Sequence, residues 1–241
     1  MHDKMLWTNE SIQFTFHSHV QEYDMQAASV SVCELFGLLP KEIITELKLM
    51  PKEKRTVKMG LFQREDKQFS ENLLAGIREV RKKFIETNNL STDEILSLHS
   101  DACIINTNKR ITSNIDGVTF RKKHEWNAYI RYNSIEMFYK NDIKNNYIDY
   151  KNIPEQLVGE QILGFDIYLK KVFEYIENYD ENVLKYISKF QKKYLQNQLP
   201  EPYYHSFGRC GKYKFDNLKL TSFIAQIAMK EVKSWKFQMK T

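Results

Sequence analysis

A chain of 241 residues with 42% hydrophobic, 13% aromatic and 28% charged side chains carries enough apolar surface for a packed core, which excludes an intrinsically disordered protein. Only 8 Gly and 5 Pro exclude collagen-like and Pro-rich classes, and no apolar run approaches the ~20 residues of a membrane span. The excess of 36 Lys+Arg over 31 Asp+Glu, a net charge of +5, is compatible with a nucleic-acid partner without demanding one.

Cys33, Cys103 and Cys210 are far apart and form no CxxC pair. They read as buried, reduced thiols rather than a disulfide framework or a zinc site. The N-terminal residues Met1 to Met5 lack a basic stretch followed by an apolar one, so no secretory signal is expected and the location reads as cytoplasmic.

In chain order, residues 12–23 alternate apolar and polar side chains (Ile12, Phe14, Phe16, Val20) and predict one strand, with His17 and His19 on an exposed face. Residues 26–38 carry Ala28, Val32, Leu35 and Phe36 at helical spacing, ended by Gly37 and Pro40. A short helix follows over 41–50, stopping before Pro51. Residues 52–65 are basic. Ser70 reads as the cap of a helix over 71–87, with Leu73, Leu74, Ile77, Val80 and Phe84 on one face. Residues 94–98 and 102–106 predict two strands around the bend His99-Ser100-Asp101, and further strands are expected over 118–123 and 128–139.

Beyond residue 154 the pattern becomes helical: 155–178, 180–197 and 216–236. The fold class expected is α+β: a palm-like antiparallel sheet with packed helices over residues 1–150, then a mainly helical C-terminal region over 151–241. Two segments interleave basic and aromatic residues, as contacts to phosphates and stacked bases require: one around Arg121, Lys122, Lys123 and Trp126, the other containing Tyr203, Tyr204, Arg209, Lys212, Tyr213 and Lys214.

Two acids stand out. Asp24 lies at a strand end immediately before a helix, and Asp101 lies in a tight bend between two apolar strands. Metal-assisted phosphoryl transfer needs carboxylates delivered by separate rigid strands to one point, and Mg²⁺ takes such oxygen ligands. Each acid also has a purely structural reading, Asp24 as a helix cap and Asp101 as a turn former.

The segment Tyr23-Asp24-Met25-Gln26-Ala27-Ala28 resembles the first acidic palm motif of family A DNA polymerases, and His99-Ser100-Asp101-Ala102 resembles their third. Between them, Lys54-Arg55-Thr56-Val57-Lys58-Met59-Gly60 is similar to the fingers motif. The separation of the two acids, together with Gly60-Leu61-Phe62-Gln63, is closer to reverse transcriptases.

The resemblance, over roughly residues 12–140, implies a template-directed nucleotidyltransferase using two-metal phosphoryl transfer, in which Asp24 and Asp101 bind two Mg²⁺ and Arg55 and Lys58 hold a nucleoside triphosphate. Arg121, Lys122, Lys123, Arg209, Lys212 and Lys214 would contact nucleic acid, DNA rather than RNA. The protein would be a minimal enzyme or one part of a split polymerase with other subunits. A small Lys-, Asn-, Ile- and Tyr-rich chain suits a phage or a mobile element, and a phage origin would place it in the host cytoplasm. Ala102 stands beside Asp101 where such hairpins usually carry a second acid. That departure keeps open the alternative of a non-catalytic nucleic-acid-binding or replisome-interaction protein on a degenerate palm.

Overall fold

The computed structural model describes residues 4–141, 146–152, 163–204, 209–210, 213–214 and 217–238. The chain divides into two compact units: Met1–Ser11 with Val20–Glu125, and Ile12–His19 with Trp126–Thr241. The chain thus crosses to the second unit at Trp126, and residue 150, the boundary expected from the sequence, lies inside that unit.

The first unit is built on a six-stranded sheet. Its strands are β1 (Leu6–Thr8), β3 (Val20–Met25), β4 (Ile95–His99), β5 (Ala102–Asn106), β6 (Asn114–Ile115) and β7 (Val118–Trp126), in the order β1-β4-β5-β3-β7-β6. β5 lies between β3 and β4 and is antiparallel to both, so β3 and β4 run parallel. The connection between them is a split β-α-β crossover through four helices, α1 (Ala28–Phe36), α2 (Lys41–Leu49), α3 (Lys52–Glu65) and α4 (Lys67–Thr87).

Local sequence explains these elements. Gly37 ends α1 at φ 63°, a left-handed position where its missing Cβ is an advantage. Helix α4 begins earlier than the Ser70 cap predicts: the Asp66 side chain accepts the Phe69 N–H at 2.9 Å, and an acid caps as well as a hydroxyl.

The apolar stripe of α4 meets the alternate side chains of the sheet. Phe84 is fully buried, 5.6 Å from the Tyr23 ring and stacked 4.2 Å from Phe120. Burying a side chain of that size stabilises by roughly 1.5–3 kcal/mol. Gly76 lets α4 approach α1 closely: a Cβ there would lie 2.6 Å from Val32 Cγ1.

The second unit holds a four-stranded antiparallel sheet, β10-β9-β8-β2, formed by β2 (Phe14–Thr15), β8 (Ala128–Tyr132), β9 (Ile135–Lys140) and β10 (Tyr147–Lys151). Its helices are α5 (Leu163–Glu177), α6 (Asn182–Leu195) and α7 (Asn217–Gln238), with a small hairpin of β11 (Arg209–Cys210) and β12 (Tyr213–Lys214). Helix α5 joins the sheet through Phe173, stacked 4.8 Å from Tyr139, and joins α6 through Tyr168, stacked 4.0 Å from Phe190. The fold is α+β with antiparallel sheets and a helical C-terminal part.

Two strand expectations are corrected. The alternation over 12–23 is two strands in two different units, because His17 takes φ 47° and breaks the extended run. His17 and His19 therefore share no strand face, and the His17 ring stacks on Tyr179 at 4.0 Å. The single strand over 128–139 is a hairpin, β8 and β9, turned at Asn133 with φ 54°. The helix expected over 155–178 is seen from Leu163, and residues 155–162 lie outside the described residues.

Candidate functional site

Strand β3 places Glu22 and Asp24 on one face by its two-residue period, while Tyr23 and Met25 point into the core beneath α4. Asp24 pairs in register with Ala102, the residue after Asp101, and the Met25 N–H donates to the Asp101 carbonyl at 3.1 Å. The two acids singled out from the sequence are thereby neighbours at one end of the sheet. Burial and then the negative charge of Asp24 push the Asp101 carboxyl above its ordinary range; Glu22 adds to the effect and Lys123 opposes it.

Both acids line a cavity of about 370 Å³. Its other walls are the start of α1 from Gln26 to Val30, one stripe of α3, and Arg121 of β7. The α3 stripe consists of Lys52, Arg55, Thr56, Met59 and Gln63, the 3–4-residue spacing of one helix face. Two carboxylates thus face three cationic side chains, Lys52, Arg55 and Arg121, across one concave space.

The other predicted residues separate. Lys58 does not line the cavity; its ammonium pairs with Glu46 of α2 at 2.8 Å. Three residues along a helix leave about 60° between side chains, enough to turn Lys58 toward a different neighbour from Arg55. The Arg121-Lys122-Lys123 run is exposed and split by the strand period. Arg121 reaches the cavity and the charge of Lys123 reaches Asp101, whereas Lys122 sits on the alternate face, 3.0 Å from Glu125. In the second unit Arg209 and Lys214 are register partners in the β11–β12 hairpin, and Lys212 lies outside the described residues.

The sequence reading missed four residues in and around the site. Lys52 and Gln63 follow from extending the helical spacing on either side of Arg55. Glu22, only 3% exposed, follows from its position two residues before Asp24 on a strand. A fourth, Arg81, is 1% exposed on the apolar face of α4 and donates to the Ser100 carbonyl at 2.6 Å, to the Met5 carbonyl at 3.1 Å and to the Lys4 carbonyl. A basic residue inside an apolar helical stripe was its only signal.

Among the described residues, no group of three or more His, Cys, Asp or Glu side chains forms a metal cage. Mg²⁺ does not need one, since it is commonly held by one or two carboxylates and completed by water and phosphate oxygens. Asp24 and Asp101 supply hard oxygen donors, and a cation between them would relieve the repulsion that adds to the effect of burial on the Asp101 carboxyl. The donor set fits that ion.

The fold and site define an α+β protein with a carboxylate-and-cation cavity at the end of an antiparallel sheet. The chain belongs to the family described as Bacteriophage PBS1 gene 130 protein, whose model matches residues 1–237. This is a phage protein family, and the match is not to a polymerase palm family. No curated protein matches the chain. Among the described residues no helix is long and apolar enough to cross a membrane.

Proposed function

We propose that the protein is a nucleotidyltransferase of DNA-polymerase type that takes a nucleoside triphosphate with Mg²⁺ in the cavity bounded by Asp24, Asp101, Lys52, Arg55 and Arg121. The observation that carries the reading is the joining, in one concave space, of two neighbouring carboxylates with three cations, two from α3 and one from β7. The sheet order β4-β5-β3-β7, with both acids at the β3 end and the β4–β5 bend, is in keeping with a palm.

In this reading Asp24 and Asp101 hold Mg²⁺, which supplies charge neutralisation and activation of a primer hydroxyl. Lys52, Arg55 and Arg121 orient the phosphates and balance the charge that builds on them. The primer oxygen forms a bond to the α-phosphorus, the bond to the bridging oxygen breaks, pyrophosphate departs and the hydroxyl proton passes to water. Arg121 and Lys123 lie on the sheet face nearest the site and suit a template–primer backbone.

The second reading, a non-catalytic nucleic-acid-binding protein, is favoured by Ala102 standing beside Asp101. Primer extension with Mg²⁺ and deoxynucleotides separates the two. The first expects incorporation that Asp24→Asn and Asp101→Asn abolish. A folded wild type that binds primed DNA without extending it selects the second. Thermal melts with Mg²⁺ probe the site directly: stabilisation of wild type but not of Asp24→Asn is expected, and an equal response in both would remove Asp24 from the metal site.

A further inference from the structure

We infer that Arg81 is the positioning residue for the metal-binding acid Asp101, holding the β4–β5 bend in the one conformation that presents this carboxylate to the cavity. The inference rests on the reading of Asp24 and Asp101 as a Mg²⁺ site.

The bend has two residues, Ser100 and Asp101, between the paired His99 and Ala102. Ser100 takes φ 53°, the left-handed region that two-residue hairpins normally give to Gly, Asn or Asp. A serine there is held under strain and persists only if its surroundings fix it.

Three contacts fix it. The Ser100 N–H donates to the Met5 carbonyl at 2.8 Å, the Arg81 guanidinium donates to the Ser100 carbonyl at 2.6 Å, and the same guanidinium holds the Lys4 and Met5 carbonyls. Arg81 therefore ties the bend to the segment leading into β1, from a rigid helix and from within the core. Its planar fork spreads these bonds over two nitrogens, Nη1 to the Met5 and Ser100 carbonyls and Nη2 to that of Lys4, whereas the three donors of a lysine ammonium radiate from a single nitrogen and cannot reproduce that spread. The Met25 N–H, on the strand that carries Asp24, completes the frame by donating to the Asp101 carbonyl. A clamp on one side of the bend and a strand on the other leave the Asp101 side chain directed at the cavity it lines.

The test uses Mn²⁺ as the spectroscopic stand-in for Mg²⁺, titrated into the full chain well below the melting temperature and read by water-proton relaxation. Arg81→Lys keeps the positive charge and loses the fork. It is expected to weaken Mn²⁺ binding by about tenfold, the lower end of the loss seen when the support of a metal ligand is removed. Adding Ser100→Gly to Arg81→Lys is expected to restore much of the affinity, because glycine adopts the left-handed bend without a clamp.

Glu94→Gln serves as the control. It loosens a hydrogen-bonded cluster at the opposite end of β4, so it should lower thermal stability and leave Mn²⁺ affinity unchanged. If Arg81→Lys melts lower but binds Mn²⁺ as tightly as wild type, Arg81 is structural only and the inference is overturned. If wild type and Asp24→Asn both fail to bind Mn²⁺, the metal-site reading itself is overturned, and the positioning role with it. Should Arg81→Lys fail to fold, the single variant Ser100→Gly decides: unchanged affinity fits an intact clamp, and a loss comparable to Asp24→Asn contradicts it.

Discussion

Glu177, the last residue of α5, sets a pH dependence that one isosteric substitution should erase. Its side chain is only 7% exposed. Burial, reinforced by the charge of Glu231, pushes its carboxyl up to about 7 against the pull of the His17 N–H, which donates to Glu177 Oε1 at 2.9 Å. The His17 imidazole, 3.8 Å from the other carboxylate oxygen, is itself driven toward its neutral form by burial and offers little compensating charge.

Between pH 4.5 and 7 the folded chain thus keeps a proton that the unfolded chain has released, and stability falls as pH rises through that window. At about 1.4 kcal/mol per pH unit, the window from 4.5 to 7 sets a ceiling of about 3.5 kcal/mol, and partial solvent screening of the carboxyl leaves about 2–3 kcal/mol above pH 7. Glu177→Gln keeps the volume and an oxygen for the His17 N–H but cannot ionise. It should match wild type below pH 4.5 and exceed it by that amount at pH 8, a rise in melting temperature of roughly 5–10 °C. Calorimetry from pH 4 to 8 measures this. Parallel stability curves, or a variant weaker than wild type at pH 8, would refute the reasoning.

Gly76→Ala sets a helix-propensity gain of about 1 kcal/mol against a Cβ placed 2.6 Å from Val32 Cγ1 and 3.1 Å from Phe36 Cδ2. Val32 is fully buried and cannot yield, so overpacking should win and leave the variant about 1–2 kcal/mol less stable in guanidinium; a gain in stability would contradict the close α1–α4 approach. For Glu94, burial opposes the charge, but hydrogen bonds from Lys109, Thr107 and Ser91 prevail and hold the carboxyl down at about 2. Its contribution is full above pH 4.5 and is lost as pH falls toward 2. Glu94→Gln should therefore cost about 1–2 kcal/mol at pH 7, with the gap closing in acid; a gap that is constant with pH would show the carboxylate charge to be irrelevant.

Much of the first unit was readable because local and long-range demands agree there. The stripe Ala28, Val32, Leu35 and Phe36, closed by Gly37, has the period and the stop signal of a helix and is a helix in the fold. The apolar runs on either side of His99-Ser100-Asp101 can bury themselves only as a hairpin. The failures occur where one residue breaks a pattern. His17, at a positive φ, turns an uninterrupted alternation into strands of two different sheets, and a period of two cannot say which sheet a strand joins.

The site was half legible for a related reason. Asp24 and Asp101 stand beside recognisable strand ends, and Arg55 stands on a helix whose period is known. Arg81 and Glu22 act across 19 to 79 positions of chain, or from within a buried face, and no local pattern marks them.

Strain gives an argument about the cavity that is independent of charge. Among the described residues of the first unit, the non-glycine positions with positive φ are Ala27, Asn89, Ser100 and Asp116. Asn and Asp occupy that region readily, because their short polar side chains bond to the local backbone. Ala27 and Ser100 have no such excuse, at roughly 1–2 kcal/mol each. Both lie against the cavity acids: Ser100 immediately before Asp101, and Ala27 three residues after Asp24, where it turns the chain from β3 into α1 and itself lines the cavity. A fold selected for stability alone would place glycine or asparagine at both bends. The coincidence of two strained bends with two like-charged carboxylates supports a site in which local stability has been given up for the geometry of a bound cation and its phosphate ligand.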